Sequence, residues 1–440
     1  MRPPAAPPAP AAPRRIAEVG GGWAGIAAAV QASTAGARVT LIEMAPRFGG
    51  RARAVPHGDA ALDNGQHILI GAYTETLELM RRVGVDPALV LQRLPLALQT
   101  PDGAGLRLPP GAALPAFVRG VLGCRSWSWI ERGTLLLAAT GWGLGRFRCD
   151  PAWTVERLCR RLPAVIRAQL IDPLCIAALN TPAVEASASV LLRVLRDALF
   201  SGPGAADLLL PRAPLDDLLP GPAAAWLARA GAELRPGQRT LRLQPEGRRW
   251  RVDDEVFDAV VLACSASEAA RLTATIAPDW SARAAALRYE PIITVYAQST
   301  GSRLAAPMTA LPAGSQAPAQ FVFDLGAIGG AAGRFAFVVS GARPWLERGA
   351  DATAEAVLLQ ARTAFVPGTW AAPLQVLRVL TEKRATFRCT PGLARPPAAI
   401  ARGLLAAGDY VAGPYPATLE GAVRAGRHAA LQVLTPAADG

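Results

Sequence analysis

A run of glycines set between a strand-like and a helix-like segment constrains this chain more than any other feature. Gly20-Gly21-Gly22-Trp23-Ala24-Gly25 follows Arg15-Ile16-Ala17-Glu18-Val19 and precedes an alanine-rich helical run, Ile26 to Thr34, which Gly36 can end. The pattern is strand, tight turn, helix. Gly20 permits the turn, Gly22 lets backbone approach a pyrophosphate, and Gly25 lets the helix pack closely on the strand, while the helix amides attract phosphate charge. Trp23 and Ala24 lie inside the turn and are expected to face the ligand with it. Taken alone, such a glycine pattern is also compatible with a packing turn that binds nothing.

The residues that follow narrow the choice. Arg38-Val39-Thr40-Leu41-Ile42 reads as a second strand ending at Glu43. A carboxylate there can accept hydrogen bonds from both hydroxyls of an adenosine ribose and would repel a ribose 2′-phosphate. Six residues on, Gly49-Gly50-Arg51 forms a second glycine turn with an arginine suited to phosphate or flavin contacts. Ordinary nicotinamide-binding domains do not need it. Near the far end come Ala407-Gly408-Asp409 and then Pro416-Ala417-Thr418-Leu419-Glu420-Gly421-Ala422, where a new helix starts. Together these segments read as one flavin dinucleotide site.

Composition limits the partners. The net charge is +12, almost wholly from arginine, since Lys383 is the sole lysine. The arginines are spread along the chain without concentrated stacking aromatics, which argues against nucleic acid. Attraction to an anionic membrane surface is the expected use of the charge. The six cysteines form no CxxC and no ligand-like pairing with the three histidines, so no metal site or disulfide framework is expected. Residues 1–13 are mainly Pro and Ala and are expected to be a disordered tail without a signal sequence. The protein is therefore expected in the cytoplasm, at the inner face of the membrane. No apolar stretch reaches the ~20 residues of a spanning helix, so membrane contact would be peripheral.

The expected fold is α/β, with a discontinuous Rossmann-type FAD-binding domain at residues 14–75, 225–275 and 395–435. An inserted substrate-binding domain of mixed sheet and helices takes residues 76–224 and 276–394. Thr74 is expected to cap a helix carrying Leu77, Leu79, Met80 and Val83, and residues 88–225 read as mostly helical. Beyond them, Glu233 to Arg235, Thr240 to Leu243 and Trp250 to Val252 read as short strands. Phe257 to Ala263 reads as a buried parallel strand that returns to the cofactor crevice. Ile292 to Ala297 and Phe335 to Ser340 suit a sheet walling a substrate chamber.

In combination these residues resemble the amine-oxidase and phytoene-desaturase superfamily of flavoproteins, and within it the squalene-associated branch, the hydroxysqualene dehydroxylases. The narrower resemblance is carried by Asp63-Asn64-Gly65-Gln66-His67-Ile68-Leu69-Ile70-Gly71-Ala72-Tyr73, Pro173 to Pro182, Tyr289-Glu290-Pro291-Ile292 and Glu382-Lys383-Arg384-Ala385-Thr386-Phe387. It implies FAD held by Gly20, Gly22, Gly25, Glu43, Gly50 and Arg51, with Asp409 near the ribityl and phosphate groups. It also implies that the helix opening at Thr418 to Ala422 presents amides to the flavin pyrimidine edge, where a helix N-terminus stabilises negative charge. Two positions depart from the branch. Glu18 stands in the first strand where the family has an apolar residue, and a charge there is costly unless paired or protonated. Thr240 stands at an apolar adenine-contacting position.

The activity the resemblance implies is reductive removal of the hydroxyl from hydroxysqualene to give squalene, in squalene and hopanoid synthesis. It requires a reduced flavin, an acid to help the hydroxyl leave, and exclusion of water. His67, Asp63 and Glu420 are the expected proton handlers, His67 titrating near neutral pH. Tyr73 and Tyr296 read as pocket walls and Tyr415 as a residue flanking the flavin. Oxidative desaturation, amine oxidation, and non-catalytic delivery of polyprenyl intermediates stay open alternatives. The electron donor is not identified by any motif. A water-insoluble substrate would come from a membrane or from a preceding squalene-synthase-like enzyme. Pro115 to Phe147 mixes apolar and aromatic residues with Arg119, Arg125, Arg132 and Arg146, and reads either as a lipid-contacting surface or as a pair of core helices.

Overall fold

The structure, a computed structural model, describes residues 13–57 and 60–435. Residues 1–12 of the expected tail lie outside the described residues. The chain's first strand, Arg15–Val19, sits in a six-stranded sheet between Ala259–Leu262 and Arg38–Glu43, with Glu233–Pro236 beyond one side and Leu404–Ala406 and Ala399–Ala401 beyond the other. All pairs are parallel except the last. Ile16, Ala17, Leu41, Val260 and Val261 are wholly buried, the uninterrupted apolar pattern a parallel sheet covered on both faces demands. Val19 pairs in register with Ile42 and Leu262, so three strands end at one edge and open a crevice beyond their carboxyl ends.

One face of this sheet is covered by helices Trp23–Thr34 and Leu419–Leu434. They touch almost backbone to backbone, because a Cβ on Gly426 would lie 2.0 Å from the Ala24 carbonyl oxygen. Glu18 pairs with Leu41 and Val261, both packed in this sheet-to-helix layer. Its carboxyl is fully buried and neither oxygen has a hydrogen-bond partner among the described residues. Burial pushes the group well above the usual carboxylate range, so it keeps its proton.

A second sheet is antiparallel, ordered Met308–Ala310, Phe321–Asp324, Arg334–Val339, Tyr289–Gln298 and Gln375–Phe387. Val295, Phe335 and Phe337 pack on one side of it with helix Ala350–Ala364. Helices Ala113–Gly123, Trp129–Leu144 and Ala188–Phe200 stand across from its other side.

Local corrections have physical causes. Residues 88–225 are not only helical, because Leu91–Leu94 and Leu208–Pro211 pair antiparallel and take up Leu69–Ile70. The strand expected at Thr240 to Leu243 runs instead over Leu243–Glu246, since Leu243 is the first of these residues to pair with the hairpin strand Arg249–Val252. Thr74 is the first residue of helix Thr74–Arg82 rather than its cap, and no side chain of Tyr73 caps it either. The missing cap comes from Glu420, far along the chain.

Candidate functional site

The crevice at the strand ends opens into a cavity of about 950 Å³. Gly20, Gly22, Trp23, Ala24, Glu43, Gly49, Gly50, Arg51, Gly408, Asp409, Thr418 and Ala422 all line one end of it. Residues about 400 positions apart are thus brought together by the parallel sheet, because they follow the ends of strands Arg15–Val19, Arg38–Glu43 and Leu404–Ala406 at one edge. Gly25 is placed differently. It lies behind the cavity wall, where a Cβ would come within 1.8 Å of the Gly20 carbonyl oxygen, so its part is to seat the helix on the turn.

The turn itself needs glycine for two reasons. Gly20 has φ +113°, and a Cβ there would stand 2.6 Å from the backbone of Ala263 and Cys264. At Gly22 the nearest atom to such a Cβ is the Gly50 Cα at 3.8 Å, so this glycine leaves a gap rather than filling a crowded contact. The two glycine turns are tied by a hydrogen bond from Gly49 N–H to the Gly21 carbonyl, 2.8 Å. Helix Trp23–Thr34 begins at Gly22 with no side-chain cap and no acid in its first turn, so its leading amides are left for a ligand phosphate.

Charged groups frame the gap. Glu43 accepts hydrogen bonds from the N–H groups of Gly21 (2.6 Å) and Ala45 (2.7 Å), which fix the carboxylate at the cavity wall with lone pairs to spare for ribose hydroxyls. Arg51 bonds Asp409 at 2.6 Å and the Ala385 carbonyl at 2.7 Å, joining three distant segments. Burial works against its charge, and the adjacent Asp409 outweighs that and raises its affinity for the proton. Thr418 caps helix Leu419–Leu434 by accepting from Gly421 N–H at 3.0 Å, and the helix opens on the cavity. Two buried hydroxyls on the cavity wall, Thr240 Oγ1 and Tyr410 Oη, have no partner among the described residues. A gap between glycines, free helix amides, an anchored carboxylate and orphaned hydroxyls all match a dinucleotide with many polar atoms. The residues fit FAD.

The expected proton handlers separate. His67 lines the cavity, but burial lowers its imidazole to about 4, with Arg51 adding to the effect and a hydrogen bond to the Asn64 backbone opposing it. It is neutral at physiological pH rather than titrating there. Asp63 is absent from the cavity wall, because its carboxylate accepts from Leu215 N–H at 2.9 Å, and burial raises it to about 7. Glu420 also points elsewhere. It is fully buried and accepts from Glu75 N–H (3.1 Å), Thr76 N–H (2.9 Å), Thr76 hydroxyl (2.7 Å) and Arg424 (2.8 Å). It is the missing cap of helix Thr74–Arg82, supplied from across the fold, and its geometry offers no route to a substrate.

Other residues gain roles that local patterns did not reveal. Glu382 lines the cavity beside His67 and accepts from Asn64 Nδ2 at 3.2 Å and Arg384 N–H at 3.1 Å. Arg395 donates to the carbonyls of Asp409, Tyr410, Val411, Gly413 and Tyr415, pinning the loop that carries Asp409 to the last helix. Nothing adjacent in sequence distinguishes it from the other arginines. Tyr73 and Tyr415 stand on the cavity wall, the latter between the guanidinium groups of Arg193 and Arg424, whereas Tyr296 is buried behind it with its hydroxyl on the Asp63 carbonyl at 2.8 Å.

Past His67 the same cavity becomes apolar. Leu98, Leu108, Leu136 and Phe117 line it from one side, and Phe321, Phe323 and Leu380 of the antiparallel sheet from the other. The helix at Leu170 and Ile171, which also face it, widens into a π turn over Arg167–Ile171 just before Pro173.

Comparisons with known proteins agree with this geometry. The chain is 28% identical to the hydroxysqualene dehydroxylase of Sinorhizobium fredii over 95% of its own length and 98% of that protein's. It is 29% identical to the hydroxysqualene dehydroxylase of Rhodopseudomonas palustris, covering 94% and 97%. In fold it matches an oxidoreductase from Methanosarcina mazei with a TM-score of 0.68 at 15% identity, covering 95% of this chain and 100% of that one. Cyclohexylamine oxidase from Brevibacterium oxydans matches with a TM-score of 0.66 at 16% identity, covering 96% and 99%. The model of flavin containing amine oxidoreductases matches residues 23–434. With a dinucleotide cleft of this construction and a family match along nearly its whole length, the chain belongs to the flavin-containing amine oxidoreductases and is an FAD-dependent oxidoreductase.

Proposed function

We propose that the chain removes the hydroxyl of hydroxysqualene reductively to give squalene, working at the inner face of the cytoplasmic membrane. The observation that carries this reading is that cofactor cleft and apolar chamber are one cavity, with a cluster of polar side chains where the two meet. Asn64, Gln66, His67 and Glu382 stand at that junction. A long hydrocarbon with a single hydroxyl matches such a lining. The name carried by the two curated relatives supports the same substrate.

FAD, when bound and reduced, supplies a hydride. The substrate's carbon–oxygen bond breaks, its carbon takes the hydride, and the hydroxyl leaves with one proton as water. The chain's residues serve the departure of that water. Glu382, held by Asn64 and the Arg384 amide, is the proton donor of this reading, and the neutral His67 beside it orients the leaving hydroxyl through a ring nitrogen. The leucines and phenylalanines beyond exclude bulk water from the developing cation.

The test is a single anaerobic turnover with the holoenzyme chemically reduced, which needs no physiological donor. Squalene should form as the flavin reoxidises, one for one. H67A and E382Q should keep bound FAD and lose roughly 10²- to 10⁴-fold in rate. Reduction of the oxidised enzyme by an amine, or by squalene, without dehydroxylation of hydroxysqualene, would overturn the reading.

A further inference from the structure

Helix Trp129–Leu144 is apolar yet buries only Leu135. Ile130, Leu137 and Leu144 recur every seven residues and are 81%, 76% and 83% exposed. Gly133 and Gly141 fall between them, and a Cβ on either would meet no atom, so the stripe is smooth as well as apolar. The neighbouring helix Ala113–Gly123 repeats the arrangement with Leu114, Val118 and Leu122, one turn apart and all exposed. Amphipathic helices of a water-soluble domain turn such stripes inward. Here both turn outward, a patch of a kind that marks an interaction surface.

The patch is also a doorway. Leu114, Val118, Leu144 and Phe200 are exposed and at the same time line the cavity, so the chamber opens between the two stripes. Whatever covers the patch faces the chamber's mouth. The charge around it selects the cover: residues 111–149 hold Arg119, Arg125, Arg132, Arg146 and Arg148 against one carboxylate, Glu131. That carboxylate is engaged in the capping box with Ser128, and Arg132 lies over the Trp129 ring at 4.4 Å from its centroid. Apolar stripes, a tryptophan 72% exposed and a basic rim are the chemistry of the boundary between headgroups and acyl chains of an anionic bilayer. No helix among the described residues is long and apolar enough to cross a membrane.

We propose that helices Ala113–Gly123 and Trp129–Leu144 dock this protein on an anionic lipid surface and place the chamber mouth against the acyl chains, from which an apolar substrate enters without crossing water. The entry route rests on the substrate reading above, whereas the docking does not. The experiment compares the FAD-loaded protein with its I130S/L137S variant, two positions outside the cavity lining, after melting and flavin absorbance show that both are folded and loaded. Flotation with vesicles of phosphatidylcholine alone, and with roughly a third phosphatidylglycerol, measures docking. The wild type should float with the anionic vesicles at least about 10-fold better than with neutral ones, salt should weaken this, and the variant should lose about 10-fold or more. Turnover should fall in the variant when substrate is held in vesicles and stay unchanged when it is dispersed in detergent. Failure of the wild type to float, or a size-exclusion profile in which the wild type is a dimer and the variant a monomer, would overturn the proposal in favour of a protein-covered face. Flotation without any dehydroxylation would instead overturn the substrate reading and leave the docking surface standing.

Discussion

The cofactor cleft and the apolar chamber occupy one cavity and are built on opposite plans. The cleft is made of backbone. Gly20, Gly22, Gly49, Gly50 and Gly408, together with two helix N-termini, form its surface, and its charged side chains Glu43 and Arg51 are fixed by hydrogen bonds to amides and carbonyls. The chamber is made of side chains. Leucines and phenylalanines from helices on one side and a sheet on the other each contribute a patch, and a neighbour can move into the space if one shrinks. Where backbone meets backbone almost no added atom is tolerated, while a surface of side chains tolerates many exchanges of similar volume.

The sharpest way to break this contrast is to add atoms where backbone meets backbone. Gly25→Val and Gly426→Val place side chains where a Cβ alone would be 1.8 Å and 2.0 Å from carbonyl oxygens, so each should cost about 3 kcal/mol or more and yield protein without flavin. Absorbance of bound flavin and thermal melting check this, and a yellow, stable Gly426→Val protein would contradict the packing described.

A smaller effect is expected where a side chain serves backbone. Glu420→Ala removes the cap of helix Thr74–Arg82 and should lower stability by about 2 kcal/mol, seen in denaturant unfolding, with turnover per bound flavin retained. Loss of turnover at unchanged stability would restore Glu420 to the chemistry.

Glu18 gives a pH-dependent version of the same comparison, a side chain inside the crowded layer with no hydrogen bond to any of the described residues. The folded state keeps the proton and the unfolded chain releases it above the ordinary value of 4.5, so the folded state binds more protons and stability falls as pH rises through that value. The slope approaches about 1.4 kcal/mol per pH unit while that inequality lasts. Asp63, raised to about 7, adds a slope of the same sign below that pH, and His67, lowered to about 4, one of opposite sign between there and its ordinary 6.5. Glu18→Gln isolates the first contribution: its melting temperature should pull ahead of the wild type as pH rises from 5 to 8, roughly in step with that slope. Parallel curves would mean that the carboxyl finds a partner.

The least effect belongs to the chamber. Leu136→Ala, on a half-buried wall position, should leave flavin retention unchanged and cost about 1 kcal/mol, checked by flavin titration and melting. A drop in flavin affinity equal to that of Gly25→Val would erase the distinction between the two regions.

How much of this was legible in the sequence follows the same division. The glycine turns, Glu43 and Asp409 were readable because each obeys a short-range rule of strand, turn and helix. The resemblance carried by Asp63 to Tyr73 and Glu382 to Phe387 pointed to the right relatives, and the names of the curated matches agree. Roles within those segments were not readable. His67 and Asp63 are four residues apart in one motif, yet one reaches the cavity and the other turns to Leu215. Arg395 and Glu420 act on partners that no spacing announces.

By itself the sequence determined a dinucleotide fold, its cofactor and the positions of the backbone turns, because glycine conformation and apolar periodicity are local properties that survive in one dimension. Only the tertiary structure decided which acids face the cavity, which carboxyl is left without a partner and which apolar stripes point outward. Those depend on how distant segments share a limited interior, and burial, hydrogen bonding and charge are properties of that shared space rather than of any stretch of chain.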